Sequence, residues 1–302
     1  MLRLINLGAI DIGSNSIRLL VSNVIPEKTG PLFKKAGLVR LPVRLGTDVF
    51  TTGAISEKNR KRIVKAMRAY KYIMEVHGVR TFRACATSAM REAANGPAIV
   101  DEIYTKTGIQ IDIIDGQEEA RLIFSAEMLH KAGAGERDFL YMDVGGGSTE
   151  LTLFSNNELK ASRSFNLGTL RILNGIDRPE EWSALRAWVK EQTAPFEDLS
   201  MVGSGGNINR LFKMSGKPMG VPLNRDYVRQ QYEFLQKFSY EDLVKRFDFR
   251  YDRADVIIPA LSLFNAVMEW GKSDKIFVPK QGLADGLVRD LWKQQYPEKA
   301  MG

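Results

Sequence analysis

The stretch that most restricts the fold is Phe139-Leu-Tyr-Met-Asp-Val-Gly-Gly-Gly-Ser-Thr-Glu-Leu-Thr-Leu-Phe154, which reads as strand, tight turn, strand. An apolar run reaches Val144, and apolar and polar residues alternate after Ser148. Between them Gly145, Gly146 and Gly147 let the backbone turn where a Cβ would clash or block a ligand. Such a turn presents amide N–H groups, the hydroxyls of Ser148 and Thr149, and the carboxylates of Asp143 and Glu150. Amides and hydroxyls hold phosphate oxygens, and a carboxylate at the rim holds the metal ion that phosphate brings with it. Glycine clusters also close empty hairpins, so one such loop leaves both readings open.

The pattern recurs near the amino terminus as Ala9-Ile-Asp-Ile-Gly-Ser-Asn-Ser-Ile-Arg-Leu-Leu-Val21. Placing Asp11 on Asp143 also places Gly13 on Gly145, Ser16 on Ser148 and Leu19 on Leu151. A strand–Asp–Gly–turn–strand unit in each half implies a duplicated architecture, each copy supplying one lip of a cleft.

Composition narrows the chemistry. A chain of 302 residues is long enough for two domains, and 44% hydrophobic with 26% charged residues describes an ordinary soluble protein. No run has membrane-spanning length and the amino terminus lacks a secretory pattern, so the expected location is cytoplasmic. One cysteine, Cys85, excludes an internal disulfide framework, and its strand-like flanks favour an inert buried thiol. His77 and His130 have no acid or nucleophile at motif spacing, which argues against zinc hydrolysis and a serine triad. A net charge of +7, from 43 Lys and Arg against 36 Asp and Glu, favours an anionic partner without naming it.

Phe33–Leu45 reads as strand-like and carries Lys34, Lys35, Arg40 and Arg44, with a turn expected at Gly46. Ser56 caps a predicted helix to about His77, apolar along Ile63, Met67, Tyr70 and Met74 and basic elsewhere, Lys65 included. A strand over Val79–Ala86 delivers Thr87 and Ser88 to a helix start, where Arg91 faces either a phosphate or solvent. Asp115 caps a helix expected to run to about Lys131. Glu118 and Glu119 lie in its first turn, where carboxylates complement the helix dipole, and they point about 100° apart. Ala132–Arg137 is the best linker, with the domain exchange between about 125 and 137. Leu199–Arg210 repeats the coupling of strand, glycine turn and helix start. The four tryptophans read as packing anchors, not base-stacking platforms, and no nucleic-acid motif accompanies the basic residues.

Taken together, Asp11–Ser16, Ser88–Ala93, Gly116–Arg121 and Asp143–Glu150, extended by Gly203–Ile208 and Arg253–Ile257, resemble the exopolyphosphatase and guanosine pentaphosphate phosphohydrolase family. The resemblance implies an α/β fold of two ribonuclease-H-like domains, of the actin, sugar-kinase and Hsp70 type, facing an interdomain cleft. They are expected at 1–126 and 127–302, with the final helix packing across the interface. At the closing Gly282-Leu-Ala-Asp-Gly286, Ala284 stands where the family often has arginine.

On this resemblance Glu119 matches the catalytic base and Glu118 its structural neighbour. Gly145, Gly146, Gly147 and Ser148 would hold the terminal phosphoryl group. Asp143 and Glu150 would hold Mg²⁺, with Mn²⁺ as an alternative, and Asp11 would complete the metal set. Asn15, Arg18 and Arg91 are phosphate contacts, and Arg40, Arg44 and Lys65 mark a track for inorganic polyphosphate. Guanosine pentaphosphate is the rival substrate, a non-catalytic polyphosphate or nucleotide sensor the rival of another class, and a homodimer is compatible with the family.

Overall fold

The computed structural model describes residues 4–27, 30–123, 138–156 and 158–296. It resolves into two compact units, one from the described residues of Met1–Ile123 and Gly282–Gly302, the other from those of Phe124–Gln281. The linker expected at Ala132–Arg137 lies outside the described residues.

The first unit begins as an antiparallel meander, β1 (Ile5–Ile12), β2 (Ile17–Ile25) and β3 (Leu32–Leu41). Helices α1 (Leu45–Thr52) and α2 (Glu57–Val76) follow, then β4 (Thr81–Ala86), α3 (Ser88–Glu92), α4 (Gly96–Thr107), the short β5 (Asp112–Ile113) and α5 (Gly116–Ile123). The sheet order is β3-β2-β1-β4-β5, with β4 and β5 joining in parallel. The expected apolar stripe of α2 holds: Ile63, Met67, Tyr70 and Met74 are buried against Ile10, Ile12, Ile17 and Leu19 of the sheet. Tyr70 satisfies its buried hydroxyl by donating to the carbonyls of Ile17 and Val39. The helix starts where Ser56 accepts from the Asn59 amide at 3.3 Å.

A turn was expected at Gly46; the structure has helix α1 there. Arg44 takes a left-handed backbone, φ 58° and ψ 47°, and starts the helix one residue before Gly46. The amide of Gly46 is spent on the Ser14 carbonyl, a long-range bond that local sequence does not reveal.

The second unit opens with a like meander, β6 (Asp138–Val144), β7 (Thr149–Ser155) and β8 (Glu158–Phe165). Next come α6 (Thr169–Leu173), α7 (Pro179–Thr193), β9 (Ser200–Ser204), α8 (Gly206–Met214) and β10 (Leu223–Asn224). The remainder is α9 (Arg225–Leu235), α10 (Tyr240–Lys245), α11 (Tyr251–Ala254), α12 (Ile257–Trp270) and β11 (Lys275–Phe277). The order is β8-β7-β6-β9-β11-β10, the first sheet's pattern plus one antiparallel edge strand. Although β7 alternates in polarity, all of it is buried. Its threonines tolerate this because Thr149 donates to the Leu167 carbonyl and Thr152 bonds Ser162.

The last helix, α13 (Leu283–Gln295), packs on β1, β2, β4 and α5 and so belongs to the first unit. Gly286 permits the crossing, since a Cβ there would lie 1.9 Å from the Leu122 carbonyl oxygen.

Candidate active site

The triple-glycine loop is set by what grips it from behind. Val144 pairs with Thr149, enclosing Gly145–Ser148, and the Gly145 amide donates to the Ser148 carbonyl at 2.9 Å. The carbonyls of Gly145 and Gly146 accept from the amides of Thr169 and Leu170 at 3.0 and 2.8 Å, and that of Gly147 accepts from Arg171 Nε at 2.7 Å. A trans peptide points its N–H opposite to its C=O, and no peptide among the described residues is cis. The amides of Gly146, Gly147 and Ser148 are therefore turned away from α6, side by side. Successive backbone N–H groups left exposed in this way can offer hydrogen bonds to an anion.

The first loop is built alike. Ile12 pairs with Ile17, enclosing Gly13–Ser16, and the Gly13 amide donates to the Ser16 carbonyl at 3.1 Å. Its carbonyls are also held from behind, Ser14 by the Gly46 amide at 2.9 Å and Asn15 by the Arg44 amide at 3.1 Å. The amides of Asn15 and Ser16 accordingly turn away from α1.

Strand register then places side chains that sequence leaves scattered. In the first sheet Cys85, Asp11, Arg18 and Arg40 stand opposite one another across β4, β1, β2 and β3. Arg18 donates to the buried Asp11 carboxylate at 2.7 Å. In the second sheet the corresponding row is Ser204, Asp143, Glu150 and Ser164. Directly opposed residues have Cβ atoms about 5 Å apart on one face, so Asp143 and Glu150 form a carboxylate pair. Glu150 is buried and accepts from Ser164 Oγ at 3.0 Å. A Cβ on Gly205, at φ 103°, would approach Asp143 Oδ1 to 3.1 Å, so the third glycine turn lies against this carboxylate.

Glu118 and Glu119 separate as their helical spacing requires. Asp115 caps α5 by accepting the Glu118 amide at 2.8 Å. Arg121 chelates the Glu118 carboxylate at 2.6 and 2.7 Å and holds it below the usual carboxylate range. Glu119, half-buried, occupies a different face of the helix. Arg91 donates to the Ile114 carbonyl at 2.6 Å, joining α3 to the turn that enters α5. Lys65 is exposed on α2, one turn beyond Arg62, whose guanidinium donates to the carbonyls of Pro42 and Val43 beside Arg44.

A model of the Ppx/GppA phosphatase family matches residues 32–295. The chain belongs to the Ppx/GppA family. Its α/β fold with two sheet-containing regions is the actin- and Hsp70-like fold typical of that family. A crystal structure of an exopolyphosphatase from Cytophaga hutchinsonii superposes with a TM-score of 0.83 at 21% identity, covering 96% of this chain and 98% of that one. The bifunctional 3-dehydroquinate synthase/phosphatase of Fusobacterium nucleatum is 31% identical over 218 residues, which is 66% of this chain and 32% of the relative. The guanosine-5'-triphosphate,3'-diphosphate pyrophosphatase of Aliivibrio fischeri is 27% identical over 306 residues, 94% of this chain and 59% of the relative. The chain thus spans about a third and about three fifths of the length of these two relatives.

Among the described residues no group of three or more His, Cys, Asp or Glu side chains forms a metal-holding cluster. The donors of the second row nonetheless suit a hard cation, because Mg²⁺ takes one or two carboxylates and completes its octahedron with water and substrate phosphate. No helix among the described residues is long and apolar enough to cross a membrane. Sequence reading missed the brackets behind both loops, Arg44–Gly46 and Gly168–Arg171. A signal for the second was the glycine: a Cβ on Gly168 would lie 2.4 Å from the Gly146 carbonyl oxygen.

Proposed function

We propose that this chain is an exopolyphosphatase, built of two ribonuclease-H-like domains, that hydrolyses the terminal phosphoanhydride of inorganic polyphosphate. The observation that carries this reading is the orientation of the Gly146, Gly147 and Ser148 amides, fixed by the three carbonyl bonds behind the loop. They would grip the terminal phosphoryl oxygens and meet negative charge as it develops in the transition state. Asn15, Arg18 and Arg91 would bear on the neighbouring phosphate, and Arg40, Arg44 and Lys65 on the chain beyond it.

Asp143 and Glu150 would hold Mg²⁺ or Mn²⁺. Bound there, the ion would neutralise phosphate charge as a Lewis acid. Glu119 would take a proton from the attacking water as its oxygen bonds to the terminal phosphorus. The bridging P–O bond breaks, releasing orthophosphate and a chain one unit shorter.

Glu118 is unsuited to the base role because Arg121 already occupies its carboxylate. Guanosine pentaphosphate is a second reading, favoured by the 94% coverage of this chain in its match to the Aliivibrio fischeri pyrophosphatase. The same terminal phosphate chemistry would serve it.

Phosphate release from short and long polyphosphate, guanosine pentaphosphate and ATP, with Mg²⁺ varied, tests the assignment. Glu119→Gln should lower turnover on polyphosphate about 100-fold or more while folding is retained. Near-normal turnover by that variant would remove Glu119 as the base. Tight binding of polyphosphate by the wild type without phosphate release would make the chain a sensor.

A further inference from the structure

Glu119 lies in the first turn of α5, so the tertiary contacts that hold α5 in the fold set where its carboxylate points. The Asp115 cap and the bond from Arg91 to the Ile114 carbonyl fix its entry. Its body is fixed by a closed square of alternating charge. Arg83 of β4 meets Asp290 of α13 at 2.8 Å and Glu118 at 3.8 Å. Arg121 meets Glu118 at 2.6 Å and Asp290 at 3.6 Å. Each arginine thus touches both acids, and each acid touches both arginines.

Asp290 is the member of that square that comes from outside the α5 neighbourhood in sequence, 169 positions from Arg121. Its side chain is 15% exposed and Gln294 donates to it at 2.7 Å. Asp112, on β5, also touches Arg83, at 3.3 Å, but it is 45% exposed. The Asp290 carboxylate therefore ties β4, α5 and α13 in a partly desolvated setting, where an ion pair is screened less than at the surface. Below it Gly286 lets α13 approach the Leu122 carbonyl, so the same helix braces α5 twice.

We propose that Asp290 is a positioning residue for Glu119. It acts through Arg83 and Arg121, which keep Glu118 ion-paired and set the rotation of α5, leaving Glu119 directed to the attacking water. The members of the square lie on β4, α5 and α13, outside the two glycine turns, so its expected role is in turnover and not in substrate affinity. The inference rests on the reading of Glu119 as the base.

The test measures kcat and KM for phosphate release from long polyphosphate in wild type, Asp290→Asn, Asp290→Glu, Glu119→Gln and the Glu119→Gln/Asp290→Asn double variant. Asp290→Asn should lower kcat about 10- to 100-fold, the range expected when a reacting group shifts by up to about an ångström, with KM changed less than twofold. Asp290→Glu restores the fourth charge and should recover most of kcat. With Glu119 already replaced, Asp290→Asn should have no further effect on the residual rate. Hydrogen exchange should quicken at the α5 amides in Asp290→Asn while the sheet strands stay protected.

Three results would overturn the proposal: kcat within twofold of wild type in Asp290→Asn, equal losses from Asp290→Asn with or without Glu119, or a failure of Asp290→Glu to rescue a folded protein. Near-normal turnover by Glu119→Gln is a separate outcome. It would remove the base itself, and with it the group that Asp290 is said to aim.

Discussion

The two glycine loops share a backbone and differ in charge. Each is a four-residue turn closed by a glycine amide on a serine carbonyl, and each is gripped from behind by backbone amides at the start of a helix. Opposite the shared aspartate, however, the first sheet places Arg18 and the second Glu150. The next residue outward is Arg40 in the first row and Ser164 in the second. The first row thus sets basic residues beside its aspartate, whereas the second sets another acid there.

The difference makes opposite demands on stability, and this separates the rows most sharply. Asp11 and Arg18 neutralise each other, whereas like charges directly opposed on neighbouring strands destabilise a sheet. Glu150→Gln should abolish most turnover, about 100-fold or more as for loss of a metal-site partner, yet raise the stability of the ligand-free protein by about 0.5 kcal/mol. Arg18→Ala should do the reverse to the fold, costing about 1–3 kcal/mol because the buried Asp11 carboxylate loses its charged donor. Thermal unfolding with and without Mg²⁺ and polyphosphate, set beside phosphate release, reads both. Equal losses of stability in the two variants would break the distinction between the rows.

The brackets behind the loops give a smaller contrast. Gly168 is needed for space, because a Cβ there would meet the Gly146 carbonyl oxygen at 2.4 Å. Arg44, which serves the first loop through its own amide, stands at φ 58°, a conformation that glycine adopts with ease. Gly168→Ala should destabilise by about 1–3 kcal/mol and lower turnover roughly tenfold as the loop is pushed from behind. Arg44→Gly should leave the melting temperature nearly unchanged. A tolerated Gly168→Ala would mean that the loop has room to retreat and that its amides are less fixed than the bonds to α6 require.

What sequence made legible follows from the range of the interactions involved. The loops, the stripe of α2, the Ser56 and Asp115 caps and the divergence of Glu118 from Glu119 depend on neighbours within a few residues, and their spacing shows them. The charge rows depend on which strands pair and in what register, so Arg40 beside Arg18 could be named as basic but not placed. Helix α1 was hidden because its start rests on Ser14 and Asn15, some 30 residues earlier. The square around Arg83 spans still more of the chain. Glycine at 168 and 286 marks close backbone approaches that only the fold identifies.

The innermost positions of the two rows supply the mildest test. Cys85 stands beside Asp11 as Ser204 stands beside Asp143. Ser204 is buried but donates to the Gln281 carbonyl at 3.2 Å, which makes a hydroxyl acceptable there. Cys85 is fully buried, and burial pushes its thiol up to about 12, so it stays a neutral, weakly polar filler through the physiological range. Cys85→Ser copies the second row into the first and places a hydroxyl where the thiol had modest needs. It should cost about 1–2 kcal/mol and leave kcat and KM within twofold of wild type, since the thiol takes no part in the chemistry. The folded wild type should also resist alkylation by a neutral maleimide at pH 8 and react only once unfolded. Rapid labelling of the native protein, or a large fall in turnover in Cys85→Ser, would show that this position belongs to the working surface of the first row and is not merely its packing.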